Sequence, residues 1–157
     1  MPNGNQHHRQ AKGNWNRGKN ANIPEPELDT QKVKRWIQKG IDPEAIGFFE
    51  KTGKYLVDVE LSNSQIRNIY GEIMRIYMKG ADKEKTALLL LKPKIAYMRE
   101  KAGRSNKKGL AYIEKLFNAM YDALEKEDNG KLKQQFDNML HSMEAILAYH
   151  KAQGGKD

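Results

Sequence analysis

Apolar residues recur every three or four positions through most of the chain after residue 30, and this spacing predicts amphipathic helices. The pattern is clearest after Ser62, where Ser62 and Gln65 offer a capping box and Gly80 offers a helix end. The apolar stripe of this helix consists of Ile66, Ile69, Tyr70, Ile73, Ile76 and Tyr77. Further helices are predicted over about 31–39, 43–51, 83–102, 107–127 and 131–152. Because the connections are short, the pattern predicts an all-α fold, a compact bundle of about five helices.

Two short stretches depart from this helical spacing. Val57, Val59 and Leu61 alternate with acidic residues, as in a strand, but no second strand is available to pair with them. We therefore expect an extended connection at 57–61, packed on the helices. Pro93 lies inside a predicted helix, where a proline removes a backbone hydrogen bond, so a kink or a split is expected near residues 89–92.

The first 22 residues have a different composition from the rest. They are rich in Asn, Gln, Gly and basic residues, they contain no acid and carry a net charge of +4, and Trp15 is their main apolar side chain. Such a segment buries too little apolar surface to offset its loss of conformational entropy. The sequence therefore predicts a disordered basic tail over 1–22, followed by a helical-bundle domain over 23–157.

Composition limits the cellular compartments and the classes of binding partner that fit this chain. The chain has no cysteine, which excludes disulfides and zinc–thiolate sites, and it carries a formal net charge of +8. No apolar core of a secretory signal is visible, and the longest apolar run, at 87–91, is far below the roughly 20 residues of a membrane span. We expect a cytoplasmic protein with a polyanionic partner, of which nucleic acid is the commonest.

Motifs that would indicate catalysis are missing from the sequence. There is no Gly-x-Ser-x-Gly elbow, no glycine-rich phosphate loop, and no metal-ligand spacing among the histidines and carboxylates. We therefore expect no enzymatic activity, no catalytic residue, no metal site and no cofactor.

Basic residues are concentrated in one region. Between positions 92 and 108 the chain has seven Lys and Arg residues and one acid, whereas residues 109–157 carry a net charge of −2. A row of cations on a helix and the following turn suits nucleic-acid phosphates, which are bound independently of sequence; a merely solvated surface is the alternative. Tyr97 and Tyr112 flank this region, and packing in the core is the more common role for such aromatics, with base stacking as the alternative. The predicted RNA contacts are Arg67, Arg75, Lys92, Lys94, Arg99, Lys101, Arg104, Lys107 and Lys108.

Three stretches of the sequence resemble one protein family. They are Leu-Ser-Asn-Ser-Gln-Ile-Arg at 61–67, Leu-Leu-Lys-Pro-Lys-Ile-Ala-Tyr at 90–97, and the segment 136–151, which ends in Glu-Ala-Ile-Leu-Ala-Tyr-His-Lys and precedes Gly154 and Gly155. In this order and spacing they resemble the small subunit of the type III-A CRISPR Csm complex, over roughly residues 61–155. The second and third stretches together are the more specific part of the resemblance.

The resemblance implies a small helical bundle without catalytic residues. Several copies would stack beside the backbone subunits that hold the guide RNA, and would cover the backbone of the guide–target RNA duplex without reading its sequence. The implied partners are guide RNA, target RNA, the backbone and large subunits of the complex, and further copies of the chain. Arg67, Lys92 and Lys94 lie in the resembling stretches, and the third stretch adds Lys151 as an RNA contact.

Two other functions fit the residues alone. A free-standing basic helical RNA-binding protein or chaperone would bind RNA tightly without partners, whereas an adaptor for an acidic protein would ignore RNA at physiological salt. If RNA is the partner, reversing the charge of Arg99 and Arg104 is expected to weaken binding without unfolding the bundle.

Overall fold

The computed structural model describes residues 23–157, which form six α-helices and no strand. The helices are α1 (Thr30–Lys39), α2 (Pro43–Asp58), α3 (Asn63–Lys79), α4 (Lys85–Lys101), α5 (Arg104–Ala123) and α6 (Asn129–Ala152). The predicted all-α bundle is confirmed for this part of the chain, with six helices where about five were expected. The predicted tail over 1–22 lies outside the described residues.

Helix α6 forms the centre of the bundle. It packs against α1, α2 and α3, while α5 packs against α1 and α4, and α4 also contacts α3. Leu132, Phe136, Met139 and Met143 of α6 are each exposed by 1% or less. The helices α3, α4 and α5 carry all the predicted RNA contacts except Lys151, which lies in the last turn of α6.

The expected extended connection at 57–61 is wrong, because α2 continues to Asp58. The buried side of α2 follows helical spacing along a helix that packs on α6, and it consists of Ala45, Phe49, Thr52, Gly53, Tyr55 and Leu56. The backbone N–H of Val59 donates to the Tyr55 carbonyl oxygen at 2.9 Å, and Leu61 then turns into the core. The apparent alternation therefore combines the last turn of a helix with the residues that follow it.

Of the kink or split expected near Pro93, the split is wrong. Helix α4 runs without a break from Lys85 to Lys101, with Pro93 inside it and on its exposed side. Leu88, Leu91 and Ile95 are buried on its other side. Tertiary packing on both sides of the proline therefore holds the helix together although the proline removes one backbone hydrogen bond.

The capping box predicted at the start of α3 is not formed, because Ser62 makes no side-chain bond to the helix N-terminus. The C-terminal segment of the chain, residues 153–157, binds the first residue of α3 instead. The backbone N–H of Asn63 donates to the carbonyl oxygen of Lys156 at 2.7 Å, and Asn63 Nδ2 donates to Asp157 Oδ1 at 3.0 Å. The segment turns back onto the bundle after Gly154, whose φ of 96° lies in the region that favours glycine.

Candidate nucleic-acid interface

Lys92 and Lys94 lie on opposite sides of α4. Two positions along a helix correspond to about 200° of rotation, so the two side chains diverge. Lys92 Nζ lies 2.9 Å from Asp122 Oδ1 on α5, whereas Lys94 Nζ lies 3.2 Å from Glu72 Oε2 on α3. The basic segment 92–108 is therefore not one continuous surface.

A groove between α3 and α4 collects three cations and two acids. Glu72 pairs with Lys94 and also with Arg75, whose Nη1 lies 3.6 Å from the same carboxylate oxygen. Lys79 and Glu84 line the groove as well, and its volume is about 140 Å³. Because the acids compensate two of the three cations, this groove is only weakly positive.

The positive charge on the side of α4 that faces α5 is also compensated by acids. Arg99 pairs with Glu114 of α5 and, at 3.5 Å, with Glu100. The hydrogen bond with Glu114 raises the pKa of the Arg99 guanidinium above its ordinary value. Arg99 therefore ties α4 to α5, in addition to any role in binding RNA.

Lys92 and Lys126 both lie close to the aromatic ring of Tyr121. Its Nζ lies 4.7 Å from the centroid of Tyr121, and Lys126 Nζ lies 4.2 Å from the same centroid. Lys126 also donates to the Tyr121 carbonyl oxygen at 3.1 Å, which satisfies a backbone acceptor at the end of α5. Burial lowers the pKa of Lys126. This pair of lysines serves the packing of the α5 C-terminus.

The first turn of α5 carries cations that lack this compensation. The sequence predicted a helix from about residue 107, but α5 begins at Arg104, so Arg104 and Lys107 lie on its first turn, with Lys108 next to them. All three are exposed, and within residues 23–157 neither Arg104 nor Lys107 has a carboxylate partner. The turn contains no acid, and Gly103 provides no side-chain cap. The N-terminal end of a helix dipole is positive, and these side chains add further positive charge beside it. The turn therefore attracts anions.

Arg67 and Lys151 both lie near Asp157 in the C-terminal segment. Lys151 Nζ lies 3.9 Å from Asp157 Oδ1. The hydrogen bond from Asn63 lowers the pKa of Asp157, and the positive charges of Lys151 and Arg67 lower it further. Two predicted contacts that are 84 positions apart in the sequence thus lie around one carboxylate.

These groups lie at one end of the bundle. The backbone N–H of Ser62, just before α3, donates to Asn106 Oδ1 at 2.8 Å, which joins the starts of α3 and α5. A pocket of about 480 Å³ lies between these starts and the C-terminal segment. Only two residues separate the end of α4 from the start of α5. We call the following set the basic end: Arg67, Lys101, Arg104, Lys107, Lys108 and Lys151.

The two flanking tyrosines have different environments. Tyr112 is 1% exposed, its ring centroid lies 5.1 Å from that of Tyr55, and burial raises its pKa to about 12. Tyr97 is 61% exposed, and Lys101 Nζ lies 5.5 Å from its ring centroid. The expectation of a core position is confirmed for Tyr112 and is wrong for Tyr97.

The acids that compensate the predicted contacts were not among the residues singled out from the sequence pattern. Glu72 could have been found, because it precedes Arg75 by three positions on a clear helix. Glu114 and Asp122 could not, because they pair with residues 15 and 30 positions away on another helix. Within the described chain, no group of three or more His, Asp or Glu residues could hold a metal ion, and no helix could span a membrane.

Comparison with known proteins identifies the family. Searches of curated proteins and of solved structures returned no match. Residues 45–156, which include α3 to α6 and most of α2, match the family model described as Csm2 Type III-A. This match includes the basic end and the C-terminal segment up to Lys156. The chain therefore belongs to the Csm2 type III-A family, the small subunit of the CRISPR Csm complex.

Proposed function

We propose that this chain is a non-catalytic subunit that stacks in several copies and binds the backbone of the guide–target RNA duplex without sequence specificity. Membership of the small-subunit family supports its place in the complex, and the family is generally non-catalytic. The proposed partners are guide RNA, target RNA, the backbone and large subunits, and other copies of the chain. The bundle domain over 23–157 carries these contacts, and the basic tail over 1–22 adds charge.

The observation that carries the proposal is the first turn of α5. Arg104 and Lys107 are exposed, uncompensated within the described residues, and placed at the positive end of a helix dipole. Backbone N–H groups at a helix start and adjacent basic side chains form a common arrangement for phosphate binding. Arg67 and Lys151 extend the same end of the bundle, although both lie near the carboxylate of Asp157.

Phosphate contacts suit a subunit that must accept any target. Lys and Arg side chains bound to phosphates fix position but read no sequence, and guide–target base pairing supplies the specificity. Arg75, Lys92, Lys94 and Arg99 remain proposed contacts. Each must exchange a carboxylate partner for a phosphate, so each contributes less than Arg104 or Lys107.

The proposal is tested by reversing charge at Arg104 and Lys107 together in the assembled complex. The affinity for target RNA is measured over a range of salt concentrations, with Lys54→Glu and Lys133→Glu as the matched control. Those two lysines are exposed on α2 and α6, so the control changes the net charge equally. We expect the double variant to bind RNA more weakly. The slope of log affinity against log salt concentration should become shallower by about 0.9 for each phosphate that is no longer bound, and the control should stay close to wild type. Equal behaviour of both double variants would reject the basic end as an RNA surface.

Arg99 is a poorer position for this test than its charge indicates. Its guanidinium ties α4 to Glu114, and a glutamate there would face that carboxylate directly. Weaker binding by Arg99→Glu would therefore mix a weaker RNA contact with altered helix packing, whereas Arg104→Glu leaves no acid facing an acid within the described chain.

A second experiment separates the complex subunit from a free-standing RNA-binding protein or chaperone. The tagged chain is expressed with its neighbouring genes, and the bound proteins and RNA are identified. We expect a ribonucleoprotein with guide RNA of common repeat sequence. Recovery of the chain alone, or with RNA of mixed sequence, would favour the free-standing function.

A further inference from the structure

Tyr97 is an exposed aromatic ring set among cations. Its side chain is 61% exposed, although tyrosines of this bundle such as Tyr55 and Tyr112 are almost fully buried. The ring therefore adds little to the core, and its aromatic face is accessible to a ligand.

The neighbours of Tyr97 on α4 are mainly basic. Lys94 precedes it by three positions and Lys101 follows it by four, so both lie beside it on the helix surface. Lys101 Nζ lies over the ring, 5.5 Å from the centroid. Cation–π contacts between exposed groups are weak, so a ligand can displace this lysine from the ring. Lys101 belongs to the basic end, so the ring lies at the edge of this set of residues.

This arrangement favours RNA over a protein partner. Leu90 and the exposed Pro93 precede Tyr97 by seven and four positions and lie on the same side of α4, but the ring stands at the end of this row that Lys94 and Lys101 flank. An aromatic ring flanked by lysines combines stacking with phosphate attraction, as in surfaces that bind single-stranded nucleic acids.

Resting on the proposed function, we propose that Tyr97 stacks on the base of an unpaired nucleotide of the bound RNA while Lys94 and Lys101 contact the adjacent phosphates. The nucleotide is unpaired because bases inside a regular duplex already stack on their neighbours and expose no face. Every base has an aromatic face, so this contact adds affinity without selecting a sequence.

The test compares Tyr97→Ala with Tyr97→Phe in the assembled complex. Alanine removes the ring, whereas phenylalanine keeps it and loses only the hydroxyl. We expect Tyr97→Ala to weaken target-RNA binding by about tenfold with an unchanged salt slope, because the same phosphates remain bound. Tyr97→Phe should bind like wild type. Target RNA with 5-iodouridine at an unpaired position should form a photo-cross-link to Tyr97 that the alanine variant lacks.

The matched control is Tyr77→Ala, which removes an exposed ring from α3. It should bind RNA like wild type. If Tyr97→Ala also binds like wild type and the cross-link is absent, the stacking proposal is wrong, whereas an effect of the Arg104 and Lys107 variant would leave the proposed function standing. If Tyr97→Ala fails to enter the complex although it folds normally, the ring contacts a protein subunit, and the stacking proposal is again wrong.

Discussion

The imidazole Nε2 of His150 lies 2.7 Å from the carbonyl oxygen of Leu61, and the His150 side chain has no exposed surface. The bond joins the end of α6 to the residue that precedes α3. A neutral imidazole donates here through Nε2, which leaves Nδ1 as an acceptor without a partner in the described chain. Gly155 covers this ring so closely that a Cβ at position 155 would overlap Nδ1. His150 therefore supports the C-terminal segment that closes the basic end.

The first prediction concerns the pH dependence of stability. Burial lowers the pKa of His150, so the folded protein favours the neutral ring, whereas the unfolded chain binds a proton from about pH 6.5 downwards. The free energy of unfolding should therefore decrease as the pH falls below about 6.5, by at most about 1.4 kcal/mol per pH unit. Urea unfolding at several values between about pH 7.5 and 5 measures this dependence.

His141, which is exposed on the same helix, provides the control for this prediction. The pH dependence should persist in His141→Gln and become flatter in His150→Gln. Asp157 has a lowered pKa, so its contribution disappears only in more acidic solution and does not interfere. Equal stability of the wild-type protein at about pH 7 and pH 5 would contradict the prediction.

A second prediction compares two glycines of α2. A Cβ at Gly53 would lie 2.7 Å from Tyr149 Cβ and 2.9 Å from the backbone nitrogen of His150, whereas a Cβ at Gly47 would have no neighbour within 4 Å. Gly53→Ala should destabilise the fold by about 1–3 kcal/mol, because α2 must move away from α6. Gly47→Ala should stabilise it by about 0.5–1 kcal/mol, because alanine suits a helix interior better than glycine. Chemical denaturation of both variants measures the difference, and effects of the same sign would refute the close approach.

The third prediction uses two prolines with opposite roles. Pro93 lies inside α4 and lacks the N–H that would bond to the carbonyl oxygen of Leu89, so Pro93→Ala should raise stability by up to about 3 kcal/mol. Pro43 lies in the first turn of α2, where its N–H is not needed. Pro43→Ala should therefore lower stability by about 0.4–1 kcal/mol, because it frees the unfolded chain. Thermal melts that show Pro93→Ala to be destabilising would mean that α4 requires the proline geometry.

The fourth prediction concerns the compensated cations. Glu72 holds both Arg75 and Lys94, and surface ion pairs contribute at most about 1 kcal/mol, so Glu72→Gln should leave the fold intact. It should increase RNA affinity and steepen the salt slope by about 0.9 for each released cation that reaches a phosphate. The control is Glu127→Gln, which removes an acid with no ion pair in the described chain. Salt-dependent binding that is identical in the two variants would show that Arg75 and Lys94 do not contact RNA.

The helical character of this chain follows from its apolar pattern alone. The apolar spacing that defines a helix face is a local property, so the stripe from Ile66 to Ile76 predicted α3 without knowledge of its neighbours. The same reasoning failed at 57–61, where three alternating apolar residues matched strand spacing. In the structure the first of them lies in the last turn of α2, and the other two follow the helix end and are buried.

The positions of the basic residues are read directly from the sequence, whereas their compensation by acids depends on the packing of the helices. Charge is a property of a single residue, whereas compensation depends on which helices face each other. Arg99 and Arg104 look alike in the sequence, yet Arg99 faces Glu114 across the contact between α4 and α5, and Arg104 faces no acid of the described chain. The tertiary structure also brings Arg67 and Lys151 near the carboxylate of Asp157, because the C-terminal segment folds back over His150 onto the start of α3. These contacts join residues far apart in the chain, and no spacing rule within one helix can predict them.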